Sequence, residues 1–273
     1  MKIDKMMEVN VIKVPEDADF MYLKTLCDEH KGWLLRTHKK SIRIWTKPCV
    51  ESDFQMIKAC VDYPDVSAST VYDVLHDPDY RAQWDRYMLD SKEIGLLNPN
   101  NDLCYYAIRS MPPLLNRDFV LQRSWLDLGD EKYIFNHSVC HDDFPPRKNC
   151  IRGVTFLTGY LIRSTGQNSC RLSYVTHSDP GGRLPGWLIN KITHHISPKM
   201  MKKLHKACLS YAVWKSQHSA HWRPWSRPDQ QCDLVRVDLS KCVPRTYHTV
   251  AVPDESSLKA LQNGAASDCA DDD

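Results

Sequence analysis

Between residues 42 and 178, one short segment after another places apolar side chains at every second position, and from 185 to 218 the spacing changes to that of a helix. The segments include SIRIWT, FQMIKACV, LCYYAIRS, FVLQRSWLDL, EKYIFNHSV, IRGVTFLTGYLI and CRLSYVTHS, with turn-formers such as LNPNND, HDDFPPRKN and STGQN between them. Connections this short join antiparallel neighbours, so the pattern predicts a meander of six to nine strands. In the final stretch Leu188, Ile192, Ile196, Leu204, Cys208, Tyr211 and Trp214 form one apolar stripe, which predicts a long helix across the sheet with a bend near Pro198. Antiparallel sheet plus one closing helix is an α+β arrangement. Strands such as VTFLTGYLI are semi-apolar on both faces, which suits a curved sheet around a cavity and equally a solid core.

Smaller helices are expected elsewhere. PEDADFMYLKTLCDEH aligns Phe20, Leu23, Leu26 and Cys27 behind a proline and three acids. VSASTVYDVLHD offers Ser67 or Ser69 as a cap, and PDYRAQWDRY begins with Pro78, where a first helical turn tolerates it.

Charge divides the chain. Residues 219–273 carry six basic against nine acidic side chains, leaving 30 against 25 for residues 1–218. The stretch HWRPWSRPDQQ is proline-rich and NGAASDCADDD too polar to bury, so 219–273 is expected to be an acidic, largely disordered tail onto which Trp222 and Trp225 dock at most.

The whole-chain charge of +2 argues against nucleic acid as a partner. No run approaches the ~18 apolar residues of a membrane span, and the N-terminus lacks an apolar targeting core, so a cytoplasmic protein is expected. Eleven scattered cysteines without a CxxC pair read as reduced, packed thiols, with neither metal nor cofactor expected. No nucleophile elbow, HExxH, P-loop or dinucleotide motif is present, and His141 beside Asp142 and Asp143 sits in a proline-rich turn, so no enzymatic activity is expected.

One stretch poses a specific question. DPDYRAQWD, residues 77–85, places Arg81 and Asp85 one helical turn apart among aromatic residues. On spacing alone such a pair reads first as a solvated surface bridge worth well under ~1 kcal/mol, with a buried site as the alternative.

Together with SMPPLLNRDFV and SDPGGRLPGWLIN, in that order, DPDYRAQWD resembles the StAR-related lipid-transfer (START) domains, and within them the phosphatidylcholine-transfer branch. The resemblance covers about residues 15–218. It implies a helix-grip fold, with a curved sheet around the C-terminal helix and a tunnel for one lipid, and a protein that binds and carries lipid as a monomer. It implies that Arg81 meets the lipid phosphate while Asp85 holds it, and that Tyr106, Phe119 and Phe156 surround the headgroup cation. The branch carries tryptophan at the position of Tyr106 and tyrosine at those of Phe119 and Phe156, so the cage implied here is smaller and poorer in hydroxyls. Phosphatidylethanolamine is therefore expected beside phosphatidylcholine, with a sterol ligand or a lipid-sensing role as the alternative.

A sealed tunnel needs an entrance. SDPGGRLPG, with Gly181, Gly182 and Gly186, is the expected gate loop, and an ordinary glycine turn is its rival reading. Lys191, Lys199, Lys202, Lys203 and Lys206, with Trp187 nearby, make one end of the last helix basic and suited to transient contact with a membrane surface. In the tail, Ser256, Ser257 and Ser267 are candidate phosphorylation sites, Ser267 standing before Asp268 and Asp271 in a context that an acidophilic kinase would accept.

Overall fold

The computed structural model describes residues 7–39, 41–49, 52–184, 197–244 and 254–258. Helix α1 (Asp17–Asp28) opens with a reciprocal capping box between Glu16 and Asp19 and buries Phe20, Leu23, Leu26 and Cys27, the stripe its spacing predicts. Strands β1 (Leu34–Lys39), β2 (Ile42–Cys49) and β3 (Ser52–Tyr63) follow. Two short helices come next, α2 (Ala68–His76) and α3 (Pro78–Trp84). Ser67 caps α2 by accepting from the Thr70 amide at 3.2 Å, and Asp77 caps α3 by accepting from the Tyr80 amide at 3.1 Å. The remaining strands are β4 (Met88–Asn98), β5 (Asn101–Ile108), β6 (Asn116–Asp127), β7 (Glu131–Ser138), β8 (Cys150–Arg152), β9 (Val154–Gly166) and β10 (Ser169–Asp179). Helix α4 (Ser197–Gln217) closes the body, and the stretch 185–196 expected to precede it lies outside the described residues.

These strands form one ten-stranded sheet in the order β1-β2-β3-β10-β9-β7-β6-β5-β4, antiparallel except where β8 runs parallel to β6. The expected six to nine strands in a meander therefore need correction. β10 returns to pair with β3, and three strands carry no clear period-two signal: β8 is only three residues long, and β1 and β4 are the sheet's two edges, largely turned to water. An edge strand need not alternate, because only part of it meets the core. The α+β architecture is as expected.

One sheet face packs on α2, α3 and α4 through Ile44, Ala59, Val61, Ile134, Ile162, Leu172, Val71, Leu75, Leu204 and Tyr211. The other packs on α1 through Trp45, Phe135, Leu157, Leu161 and Val175. Along β9 the odd-numbered Leu157, Gly159 and Leu161 are buried under α1 while Thr158 and Tyr160 remain half-buried on the inner face. Opposite α1, a polar clamp centres on Glu131, which accepts from Lys24 at 2.7 Å, Arg163 at 2.7 Å and Tyr133 at 2.6 Å. Partial burial pushes the Glu131 carboxyl up, but hydrogen bonds from Lys24, Tyr133 and Arg163 outweigh it and hold the carboxyl at about 2.

A group whose pKa is depressed on folding stabilises above its unfolded value and loses that contribution as pH falls toward its folded value. Glu131→Gln is therefore expected to lower stability by about 1–3 kcal/mol at neutral pH and to flatten the acid limb between pH 4.5 and 2. Urea melts at several pH values check this, and parallel acid limbs in the two proteins would overturn it.

The segment after α4 is not the loose tail expected from its prolines. In residues 219–244 Trp225 is buried, its indole donates to Asp73 at 2.8 Å, and its carbonyl accepts from the Trp125 indole at 3.1 Å. Arg223 pairs with the same Asp73 at 2.8 Å, and Gln231 donates to the carbonyls of Pro99 and Pro224. Farther on, the amide of Leu96 donates to Val235 and that of Val237 to Leu96, and Cys242 joins Leu103, Tyr105 and Val120 on the outer face of β5 and β6. Proline excludes long helices and strands here, but buried side chains and hydrogen bonds hold the segment without them.

Candidate lipid headgroup site

Arg81 and Asp85 lie at the C-terminal end of α3, and the Arg81 Nε donates to Asp85 Oδ2 at 3.2 Å. The surface-bridge reading fails on burial, because the Asp85 side chain is only 1% exposed. The Tyr106 hydroxyl donates to the same Oδ2 at 2.6 Å and lies 3.5 Å from an Arg81 Nη. The guanidinium is 4.9 Å from the Tyr106 ring centre and 5.6 Å from that of Trp84.

A quarter of the Arg81 side-chain surface, 25%, is accessible to water, in contrast to the buried carboxylate that holds it. Tyr160 and Tyr174, rings 5.0 Å apart on β9 and β10, are half-buried against the core on the helix side of the sheet. Burial alone would push the Arg81 pKa down, but Tyr106, Tyr160 and Asp85 raise it above its ordinary value. Burial also raises the Tyr106 hydroxyl, so it remains a proton donor to Asp85 at every physiological pH.

The two oxygens of Asp85 are thus occupied by Arg81, Tyr106 and the Tyr87 amide at 3.2 Å, and the guanidinium is fixed in direction while keeping N–H groups for a further acceptor. A planar fork held in this way is suited to a phosphate. Phe119 is the cross-strand partner of Tyr106, and its ring lies against Gly153, where an added Cβ would come within 2.3 Å of it. Phe156 stacks on the His177 ring at 4.6 Å, where the register between β9 and β10 shifts, and is not brought into the Arg81 cluster by any ring or hydrogen-bond contact among the described residues. Gly181 and Gly182 have φ of +73° and +72°, a conformation that favours glycine, while Gly186 lies outside the described residues. Ser256 and Ser257 are exposed, and Ser267 is outside the described residues.

A second ion pair escaped the motif reading. Arg123 and Asp102 pair across β6 and β5 beside a cavity of about 240 Å³ that is also lined by His76, Glu93, Trp125 and Gln231. The buried His76 Nε2 and Gln231 Oε1 make no hydrogen bond within the described residues. Arg123 stands four positions after Phe119, so a cation on the inward register of a strand was the signal to find it.

The START domain family model matches residues 14–215. The chain is 39% identical over 268 residues to START domain-containing protein 10 of Mus musculus and of Homo sapiens, covering 96% of this chain and 91% of each relative. It is 30% identical over 149 residues to phosphatidylcholine transfer protein of Mus musculus, covering 53% of this chain and 69% of that relative. The crystal structure of human STARD10 superposes with a TM-score of 0.80 at 40% identity, covering 87% of this chain and 97% of that one. Human StAR-related lipid transfer protein 5 shares the fold at 18% identity, with a TM-score of 0.63 over 70% of this chain and 93% of that one. With a family model spanning most of its length and a relative aligned almost end to end, the chain belongs to the START family.

Proposed function

We propose that this protein binds one phosphatidylcholine or phosphatidylethanolamine molecule and carries it between membranes, without covalent chemistry. The observation that carries the reading is the Arg81 guanidinium, oriented by Asp85 and Tyr106 while a quarter of its side chain stays accessible. A phosphate bound there adds charge-assisted hydrogen bonds to a fork already in place. Tyr106 and Phe119, neighbours across β5 and β6, offer ring faces to the headgroup cation, each worth about 0.5–2 kcal/mol where water is excluded. The name of the phosphatidylcholine transfer protein to which the chain is similar supports the same ligand class.

In this reading the body acts as a monomer in the cytoplasm and touches membranes transiently through the basic side of α4, where Lys199, Lys202 and Lys206 are exposed. Gly181 and Gly182 belong to the loop that moves to admit lipid, and phosphorylation at Ser256, Ser257 or Ser267 by an acidophilic kinase weakens membrane contact. Among the described residues no helix is long and apolar enough to cross a membrane.

Mass spectrometry of lipid co-purifying with the protein from cells tests the ligand. Wild type is expected to hold about one phosphatidylcholine or phosphatidylethanolamine per chain, and folded Arg81→Ala to lose at least tenfold of that occupancy. Recovery of a sterol instead, or equal phospholipid in both proteins, would refute the assignment of Arg81 to the phosphate.

A further inference from the structure

The loop after β10 is tied to the rest of the molecule from two directions. From the sheet, Arg117 at the start of β6 donates through Nε to the carbonyl of Pro180 at 3.1 Å and through Nη2 to that of Gly181 at 3.3 Å. Its Nη1 donates to the Leu115 carbonyl at 2.5 Å. From the far end of the chain, Glu255 places Oε2 at 2.5 Å from Arg117 Nη2 and accepts the Leu115 amide on Oε1 at 2.7 Å. Both side chains of this pair are 3% exposed. The Glu255 amide also donates to the carbonyl of Arg183 at 3.1 Å, and Asp254 lies 3.6 Å from the Arg183 guanidinium.

This geometry is asymmetric. Arg117 belongs to the sheet, and without Glu255 it would be a buried cation held only by carbonyl oxygens. Glu255 is the one buried side chain among the described residues 254–258, whereas Asp254, Ser256 and Ser257 are exposed, so its seat is the main buried anchor of this segment. Gly181 meanwhile sits so close to Ile151 and the Arg152 carbonyl that an added Cβ would lie 2.7 Å and 3.1 Å from them, a seat with no slack while the loop is held down.

We propose that Glu255 is a C-terminal latch: seated on Arg117, it holds the Pro180–Arg183 loop closed, and its release frees that loop and speeds exchange of the bound molecule. The control of exchange rests on the lipid-carrier reading above, whereas the restraint of the loop does not. The latch is distinct from a general electrostatic effect of the acidic tail, because it depends on one carboxylate in one buried position.

Hydrogen–deuterium exchange on the full-length protein tests the restraint, and transfer of a fluorescent phosphatidylcholine between neutral phosphatidylcholine vesicles tests its consequence. Glu255→Gln is expected to accelerate amide exchange in residues 181–184 at least tenfold, to leave the amides of β6 and β7 protected, and to raise the transfer rate several-fold. Glu255→Asp, which keeps the charge but withdraws it by one methylene, should give a smaller change of the same sign and keeps the series readable where the glutamine variant lowers overall stability. Unchanged amide exchange at 181–184 in both variants overturns the latch. Faster amide exchange with unchanged transfer overturns its control over the bound molecule. A wild-type protein that transfers no lipid overturns the carrier reading and with it that control, while amide exchange still decides whether Glu255 restrains the loop.

Discussion

Replacing Asp77 with alanine is expected to lower the unfolding free energy by about 3–5 kcal/mol, more than the loss of a helix cap alone explains. Its Oδ1 caps α3 through the Tyr80 amide, and its Oδ2 accepts from the Tyr211 hydroxyl at 2.9 Å and from Lys215 Nζ at 2.7 Å. Lys215 and Asp77 are 4% and 2% exposed, so the alanine variant strands a buried ammonium between the rings of Trp214 and Trp225. Asp77→Asn keeps the cap and the volume but not the charge, and should lose a smaller part of the same energy. Urea denaturation of the three proteins measures the difference. A loss below about 1 kcal/mol for the alanine variant would mean that water reaches Lys215 and that the pair does not hold α4 to α3.

The second large effect is expected at Trp225. Trp225→Ala should cost about 3–5 kcal/mol, although the residue lies beyond the 14–215 match to the family model. Its ring is buried, stacks 5.7 Å from that of His76 and donates to Asp73. Trp225→Phe, which keeps most of the apolar area and removes the N–H, should cost less, with about 1 kcal/mol of it from the lost hydrogen bond. Equal stability of the alanine variant and wild type in thermal and urea melts would return residues 219–244 to the status of a loose appendage.

What the sequence made legible follows from how local each signal is. The apolar stripe of α1 and the Ser67 cap depend on neighbours within a few residues, and both are present in the structure. Arg81 and Asp85 could be paired for the same reason, being one helical turn apart. The third member of their cluster was nameable but not placeable: the Tyr106 hydroxyl reaches Asp85 only because β5 folds back past α3, and nothing within β5 specifies that contact. The edge strands β1 and β4 were illegible because water, not a core, selects half of their side chains. The packing of 219–244 was hidden for a related reason, since proline-rich composition reports the absence of regular backbone and says little about burial.

The contact between Gly95 and the stretch 235–237 bears on how copies of this chain behave toward one another. β4 ends the sheet, and an uncovered terminal strand is a template for pairing with another molecule. Here the Leu96 amide and carbonyl are already spent on Val235 and Val237, and the approach is so close that a Cβ at Gly95 would lie 2.9 Å from the Arg236 backbone. The opposite edge, β1, is guarded differently, by the exposed charges of Arg36 and Lys39 and by only six residues of length. One border of the sheet therefore resists self-association by its own side chains, while the other relies on chain that follows the last helix. Shortening the protein before residue 235 would uncover a ready-made site for intermolecular strand addition, and the shortened chain would be lost to aggregation at concentrations where the full chain stays dispersed.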